Sequence, residues 1–255
     1  STIGATFSFF VAYHHFYYMN QSLYPMRINR YLALNNYASR RQADYMVENG
    51  HVTINGRRAV LGDKVKESDV VTVDKKVMQK KSESRIYIAY HKPIGIVSHS
   101  PEKDQRGIEE VFGYKTRLFP IGRLDQDSHG LIILTNDGRI TKKMLEPKYG
   151  HEKEYVVTVD RSLSHDAVRR MASGVNIGDY TTKKCVAEKT GPKTFRIILT
   201  EGKKRQIRRM CEAVGYQVVD LCRTRIMDIT LSDLTGGKHR EIKGDELKNF
   251  LKELL

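Results

Sequence analysis

The chain has 255 residues, of which 40% are hydrophobic and 29% charged, a composition that excludes a disordered protein. Its 44 lysines and arginines outnumber 30 acidic residues, and the formal net charge of +14 favours a polyanionic partner such as nucleic acid. The spacing of Cys185, Cys211 and Cys222 provides neither a disulfide framework nor a zinc site. We therefore expect a reduced, cytoplasmic setting.

The first 25 residues differ in character from the rest of the chain. Residues 7–18 are dense in aromatic side chains, too few to span a bilayer, and no basic residue precedes them as in a signal peptide. We expect no membrane association and interpret residues 1–25 as a poorly specified N-terminal extension. An aromatic flap packed on a domain is the alternative.

A small basic module is predicted over residues 26–74. The apolar spacing of residues 28–34 predicts a short amphipathic helix with Arg30 on its polar side. A second helix is predicted from an N-cap at Ser39 to Gly50, with Arg40 and Arg41 in its first turn. Because cations at a helix start oppose the helix dipole, these two arginines indicate another use for the charge.

Three short strands follow these helices, at residues 51–54, 57–60 and 70–73. Asn55-Gly56 between the first two predicts a type I′ hairpin turn. Two helices followed by a small sheet resemble the S4-like RNA-binding domain. The alternative is a solvated basic face on a small helical cap. The resemblance implies that Arg30, Arg40 and Arg41 bind RNA, and it rests on residues 27–32, 39–43 and 52–56.

Residues 75–84 are polar, lack periodicity and are predicted to be an interdomain linker. The remaining residues, 85–255, alternate between strand and helix patterns, which predicts an α+β domain around a largely antiparallel mixed sheet. The predicted strands are 85–90, 131–134, 155–159 and 195–199, and the predicted helices are 139–146, 165–173, 204–214 and 245–254.

Asp125 ends a Gly-Arg-Leu-Asp turn directly before a buried strand, an arrangement that suits a nucleophile or general base. A turn aspartate bonded to its own backbone is the alternative. Tyr155 begins a strand, where its ring lines either a cleft or the core. Five lysines and arginines fall within residues 203–209. A run of charges like this usually forms a solvated face, but Arg208 lies beside the apolar stripe of its helix and is positioned to face a cleft.

Four motifs together resemble the RsuA/RluB/RluF group of pseudouridine synthases, which carry an S4-like domain ahead of the catalytic domain. The resemblance implies that Asp125 is the catalytic nucleophile, that Arg208 pairs with it, and that Tyr155 stacks on the base and serves as general base. It further implies that Arg123 fills the space left by the flipped nucleotide, and that Lys92, Arg205 and Arg209 bind substrate. The motifs are Lys92-Pro93-x-Gly95, Gly122-Arg123-Leu124-Asp125, Glu152-Lys153-x-Tyr155 and residues 205–210.

Residues 119–128 are most similar to the RluF branch, which modifies large-subunit (23S) ribosomal RNA. His129 stands where this branch is expected to have glutamine, a contact that bears on substrate choice. The resemblance implies a structured stem-loop of ribosomal RNA as substrate, transfer RNA as a possible second one, no cofactor, no metal and a monomer.

Alternatives to this interpretation come from other classes. Asp125 and Asp127 have the first spacings of a calcium loop, but Asn136 at the twelfth position excludes it. A magnesium-dependent nuclease using both aspartates lacks further well-placed acids. A catalytically inactive ribosome-assembly factor, or small-subunit ribosomal RNA or transfer RNA as the true substrate, remains open.

Overall fold

The computed structural model describes residues 24–35, 37–38, 40–74, 84–99, 101–116 and 118–255. The chain divides into two compact units, one up to Ser84 and the other from Arg85 to Leu255. The predictions for residues 1–23, for the Ser39 cap and for most of the linker lie outside the described residues. Within the described ranges, no helix combines the length and apolar character that crossing a bilayer requires.

The N-terminal unit contains two helices packed against short strands around one small core. The predicted hairpin is present, and its turn residues Asn55 and Gly56 both have the positive φ that a type I′ turn requires. Leu32, Val47 and Val52 lie at the centre of the core. The elements are β1 Met26–Arg27, α1 Ile28–Leu34, α2 Arg40–Glu48, β2 Val52–Ile54, β3 Arg57–Arg58, β4 Lys64–Val65 and β5 Val71–Val73.

The C-terminal unit is built on a nine-stranded sheet. Its strands follow the order β12-β13-β11-β14-β10-β6-β16, with β15 beside β14 and β9 beside β10. Every pairing in this sheet is antiparallel except β10 with β14, which confirms the predicted α+β class and mixed sheet. The strands are β6 Tyr87–Lys92, β7 Ile96–Val97, β8 Arg106–Gly107, β9 Phe119–Ile121, β10 His129–Thr135, β11 Lys153–Val159, β12 Val186–Lys189, β13 Thr194–Leu199, β14 Val218–Ile226, β15 Ile229–Thr230 and β16 His239–Glu241.

Side-chain caps and glycines set the ends of helices in this unit. In α5, the Ser164 hydroxyl accepts a hydrogen bond from the backbone N–H of Ala167, and Gly174 follows the last turn. Its apolar face, which includes Met171, packs on Phe195 of the sheet. The helices are α3 Ile108–Phe112, α4 Thr141–Leu145, α5 His165–Ser173, α6 Gln206–Ala213 and α7 Gly244–Leu254, with 3-10 turns at Gly138–Ile140 and Pro147–Tyr149.

The single parallel pairing of the sheet brings the loop before β10 close to β14. Gly130 in β10 lies opposite Arg223 in β14, and its φ of +110° is in the region that favours glycine. A Cβ at this position would overlap the backbone of Arg223. Close contact of these two strands therefore fixes the position of the preceding loop, residues 122–128.

Candidate active site

A cleft of about 780 Å³ opens in the C-terminal unit. The loop before β10, the start of β11 and the loop before α6 form its walls. Four residues that the sequence indicated as functional line it, namely Arg123, Asp125, Tyr155 and Arg205. The turns that join widely separated strands therefore meet at one place, as a site assembled from several loops requires.

The loop that carries Asp125 is held by buried hydrogen bonds. The Ser98 hydroxyl donates to the carbonyl of Leu124 at 2.8 Å, and the N–H of Leu124 donates to the same hydroxyl at 2.9 Å. The N–H of Ser128 donates to the carbonyl of Asp125 at 3.1 Å. These contacts fix the backbone on both sides of a half-buried carboxylate, so its side chain reaches the cleft from a rigid support.

The Asp125 carboxylate makes no hydrogen bond and no ion pair with any other described residue. The alternative of a turn aspartate bonded to its own backbone is therefore not what the structure contains. The charges of Lys92 and Arg205 nevertheless act on it, since each interacts electrostatically with Asp125. These two charges act on Asp125 without occupying its oxygens. Asp125 is thus free to contact a substrate.

The predicted pairing of Arg208 with Asp125 is wrong for this structure, because the guanidinium contacts Asp127. Arg208 is buried in α6, where its Nε lies 3.2 Å from a carboxylate oxygen of Asp127 and its Nη2 donates to the Asp127 carbonyl at 2.8 Å. It also donates to the Ser128 hydroxyl at 3.3 Å and to the Val218 carbonyl at 3.1 Å. Arg208 therefore ties the end of the Asp125 loop to α6 and β14.

Asp127 is the anchor for a second arginine as well. Arg205, whose backbone has a φ of +51°, donates two hydrogen bonds to the Asp127 carboxylate at 3.2 and 2.9 Å. Burial opposes ionisation of Asp127, but the hydrogen bond from Arg205 and the charge of Arg208 outweigh it and hold its pKa below the ordinary value. This pairing orients Arg205 at the cleft wall.

Lys92, which the resemblance implied to bind substrate, is fully buried at the end of β6. Its ammonium donates to the carbonyls of Pro93 and Ile96, each at 2.8 Å. Burial, with the charge of Arg223, lowers the pKa of Lys92 to about 8, while Asp125 and Asp127 act in the opposite direction. Lys92 does not line the cleft, so it influences Asp125 through its charge rather than by touching substrate.

Two cleft cations have no functional role in the sequence-based interpretation. Arg223 is buried; its Nε donates to the Leu131 carbonyl at 2.6 Å, and its Nη2 has no partner among the described residues. Lys153 donates to the His151 carbonyl at 3.3 Å, and burial followed by the charge of Arg223 lowers its pKa to about 8. Both line the cleft, which is therefore electropositive and suited to an anionic ligand.

The other predicted site residues lie in three different environments. Tyr155 is half-buried in β11 between Ile197 of β13 and Arg223 of β14, and its ring lines the cleft. Arg209 instead pairs with Asp179 and does not line the cleft, which disagrees with its predicted contact with substrate. Half-buried Arg30 and exposed Arg40 and Arg41 belong to the N-terminal unit.

Comparisons with known proteins identify the family. The family model described as RNA pseudouridylate synthase matches residues 86–213, which is half of the chain, and the S4 domain matches residues 26–71. The chain belongs to the RNA pseudouridylate synthase family. It is 45% identical over 228 residues to the dual-specificity RNA pseudouridine synthase RluF of Escherichia coli K12, covering 89% of this chain and 79% of that protein.

More distant relatives support the same assignment. The chain is 32% identical over 233 residues to the ribosomal large subunit pseudouridine synthase B of Bacillus subtilis, covering 88% of this chain and 95% of that one. A crystal structure of a pseudouridylate synthase superposes with a TM-score of 0.64 at 27% identity, covering 90% of this chain and all of that chain. The predicted family, enzyme class and fold are confirmed, and the substrate is an RNA.

Within this pseudouridine synthase, the cleft brings together an acid and an aromatic residue that the sequence indicated as functional. Asp125 has no partner among the described residues, and Tyr155 and several cations line the same cleft. The contribution of Arg223 was missed because it depends on the parallel pairing of β10 with β14, which joins segments 92 residues apart. Lys153 lies inside the Glu152-Lys153-x-Tyr155 motif, but the predicted strand started at residue 155, whereas β11 begins at Lys153.

Proposed function

We propose that Asp125 is the nucleophile that isomerises a uridine to pseudouridine in ribosomal RNA. The observation that carries this proposal is the Asp125 carboxylate, which has no partner among the described residues, stands on a rigid loop and faces an electropositive cleft. A carboxylate with this freedom is suited to attack C1′ or the uracil ring. Asp127, the neighbouring acid, is occupied by Arg205 and Arg208 and has a supporting role.

The atom balance of the reaction defines what the other residues do. When Asp125 attacks C1′, a bond from its carboxylate oxygen to C1′ forms as the bond from N1 to C1′ breaks, and the uracil leaves as an anion. The uracil turns, and C5 bonds to C1′ and displaces the carboxylate. C5 then loses a proton and N1 gains one, so Asp125 returns to its starting state. These steps are redox-neutral, so the reaction requires no cofactor. Tyr155 stacks on the base and accepts the proton from C5. Arg223 and Lys153 stabilise the negative charge of the displaced uracil.

RNA binding is assigned to cations at the edge of the cleft and in the N-terminal unit. Arg123 is exposed on the cleft wall two residues before Asp125, where it can fill the space left by a flipped nucleotide. Arg205 contacts the phosphates nearby. In the other unit, Arg40 and Arg41 are exposed and contact phosphates as well, positioning the RNA without reading its sequence.

We further propose that the substrates are large-subunit ribosomal RNA and one transfer RNA. The relatives carry this step: one is described as acting on the ribosomal large subunit and another as having dual specificity for RNA. Mapping pseudouridines in the ribosomal and transfer RNAs of cells with and without the gene tests it. Loss of a 23S site alone would remove the transfer RNA from the proposal, and loss of a 16S site would contradict it.

The catalytic role of Asp125 is tested by comparing it with its neighbour. Asp125→Asn should abolish pseudouridine formation, measured by primer extension after carbodiimide treatment, and should change RNA affinity by no more than a few fold. Asp127→Asn is the matched control in the same loop; it should reduce kcat yet leave measurable product, because it disturbs only the support of the loop.

Three outcomes would contradict this assignment. Product formed by Asp125→Asn at the wild-type rate would exclude the nucleophile role. Wild-type protein that binds RNA but forms no pseudouridine would favour the assembly-factor alternative. RNA strand cleavage that depends on Mg²⁺ would favour the nuclease.

A further inference from the structure

Two histidines and a cysteine from three adjacent strands meet behind the catalytic loop. His91 is the next-to-last residue of β6, His129 begins β10, and Cys222 lies opposite His129 in β14. One ligand atom from each of these residues lies within 4.8 Å of the other two. None of them lines the catalytic cleft, so the cluster, here called the His-His-Cys cluster, is a separate site.

Hydrogen bonds fix which nitrogen of each ring carries a proton. Nδ1 of His91 lies 2.6 Å from the carbonyl of Leu234, an atom that only accepts, so Nδ1 donates. Nε2 of His129 lies 3.1 and 3.3 Å from the two carboxylate oxygens of Asp220, which makes it the donor on that ring. In the neutral form of each ring, the remaining lone pair is therefore on the other nitrogen, which is Nε2 in His91 and Nδ1 in His129.

Those two lone pairs point at each other. Nε2 of His91 and Nδ1 of His129 are 3.1 Å apart, and the planes of the two rings are nearly parallel, at 12° to each other. Two bare nitrogens at this distance repel unless a cation or a shared proton lies between them. Cys222 adds a sulfur ligand at the same place, and a third ligand of this kind favours the metal ion over the proton.

We propose that the His-His-Cys cluster binds one Zn²⁺ ion through Nε2 of His91, Nδ1 of His129 and Sγ of Cys222. Tetrahedral zinc with bonds of about 2.0 Å to nitrogen and about 2.3 Å to sulfur separates its ligand atoms by roughly 3.3–3.6 Å. The two nitrogens, 3.1 Å apart, already have nearly this separation, and the sulfur lies within 4.8 Å of both. Water completes the fourth position.

The surroundings of the cluster are those of a metal-binding histidine pair. Ligating histidines usually donate their other N–H to a carboxylate or a backbone carbonyl, and Asp220 and Leu234 supply one of each. The His129 side chain is 23% exposed and that of Asp220 is 41% exposed, which leaves the ion a path from solvent. Binding would join β6, β10 and β14 directly behind the loop that Arg208 anchors.

The prediction that the chain has no zinc site rested only on the spacing of its cysteines. The cluster instead combines residues 91, 129 and 222, which strand pairing alone brings together. None of the three residues lines the catalytic cleft, so the proposed ion is not part of the reaction.

Cobalt substitution tests the proposal with a spectroscopic signal. Untagged full-length protein, stripped with a chelator and titrated with Co²⁺, should bind one equivalent and develop thiolate-to-cobalt charge-transfer absorption in the near ultraviolet. Zn²⁺ should displace the cobalt and remove this absorption. A wild-type protein that binds neither metal at micromolar concentration would overturn the proposal and leave a shared proton between the rings.

Variants show whether the named residues hold the ion. Cys222→Ser should lose the charge-transfer band, whereas Cys185→Ser, which removes another half-buried cysteine, should retain it. His129→Gln should abolish binding, and Asp220→Asn should weaken it about 10- to 100-fold by removing the carboxylate behind His129. A charge-transfer band that persists in Cys222→Ser or disappears in Cys185→Ser would contradict the assignment. Far-ultraviolet circular dichroism checks that each variant is folded.

Discussion

Lys153 shows how a single residue can favour catalysis at the expense of stability. Its ammonium lines the cleft near Arg223, and burial together with that neighbouring charge lowers its pKa to about 8. At pH 7 the side chain is still mainly protonated, so the folded protein keeps a charge where water is scarce. Functional sites often carry such unfavourable groups, because the charge serves the substrate rather than the fold.

The pH dependence follows from this lowered pKa. Between about pH 8 and the ordinary lysine pKa of about 10.4, the unfolded chain binds a proton that the folded chain has released. The contribution of Lys153 to the free energy of unfolding therefore rises with pH across this window. Below pH 8 the full cost of the buried charge is present, and above the window it has disappeared.

We expect Lys153→Met to raise the free energy of unfolding by roughly 1–3 kcal/mol at pH 7, and by much less at pH 10.5. The same change should reduce kcat, because the cleft loses a cation. Urea unfolding at both pH values and single-turnover kinetics measure the two effects. Lys184→Met, which removes an exposed lysine, should alter neither. A Lys153→Met protein less stable than wild type at pH 7 would show that the ammonium contributes favourable contacts.

At the scale of elements, the contact between β10 and β14 is the main determinant of the site. It is the parallel step in an otherwise antiparallel sheet, and it places Arg223 beneath the loop of Asp125. Arg223 donates to the carbonyls of Leu131 and Arg123, which ties β14 to both ends of that loop. Gly130 allows the close approach because a side chain there would enter the backbone of its neighbour.

Gly130→Ala should destabilise the protein by at least about 3 kcal/mol, since the added Cβ overlaps backbone atoms and the φ is unfavourable. Gly237→Ala is the matched control, because Gly237 also has positive φ but has open space around it. It should cost only about 1–2 kcal/mol, the conformational part alone. Thermal or urea unfolding of both variants separates the two contributions. Equal losses would mean that β14 moves aside easily.

The elements also show what the sequence could predict. Helix α5 was predicted at its observed bounds because its apolar spacing and its cap are local signals. Strand β14 was not predicted, because the charged residues Asp220, Arg223 and Arg225 interrupt its alternation of apolar and polar residues. These side chains find their partners only in the folded sheet. The same reason explains the site: Asp125 and Tyr155 stand in local motifs, while the partner of Arg208 depended on packing between distant segments.

The whole molecule combines a catalytic unit with a small basic one. The arginines of the two units differ in whether they have acidic partners. Many arginines of the catalytic unit have acidic partners, as Arg205 and Arg225 do. Arg40 and Arg41, at the start of α2, are exposed and have no partner among the described residues. Unpaired cations at a helix start cost stability, which supports the proposal that these two arginines bind RNA phosphates.

The double substitution Arg40→Gln and Arg41→Gln in the full chain should weaken RNA binding similarly for all RNA sequences. It should also reduce the slope of log affinity against log salt by about 2 if each arginine contacts one phosphate. The kcat at saturating RNA should stay unchanged, because these residues lie outside the catalytic unit. Filter binding at several salt concentrations and single-turnover kinetics provide the measurements.

Arg169→Gln with Arg170→Gln is the matched control for this experiment. These are also adjacent, exposed arginines in a helix, so the control removes the same charge from the catalytic unit. A general effect of net charge would lower affinity equally in both double variants, whereas phosphate contacts at α2 would lower it only in the first. Equal salt slopes for the two proteins would therefore remove Arg40 and Arg41 from the RNA-binding surface and leave the cations of the cleft, Arg123 and Arg205, to hold the substrate.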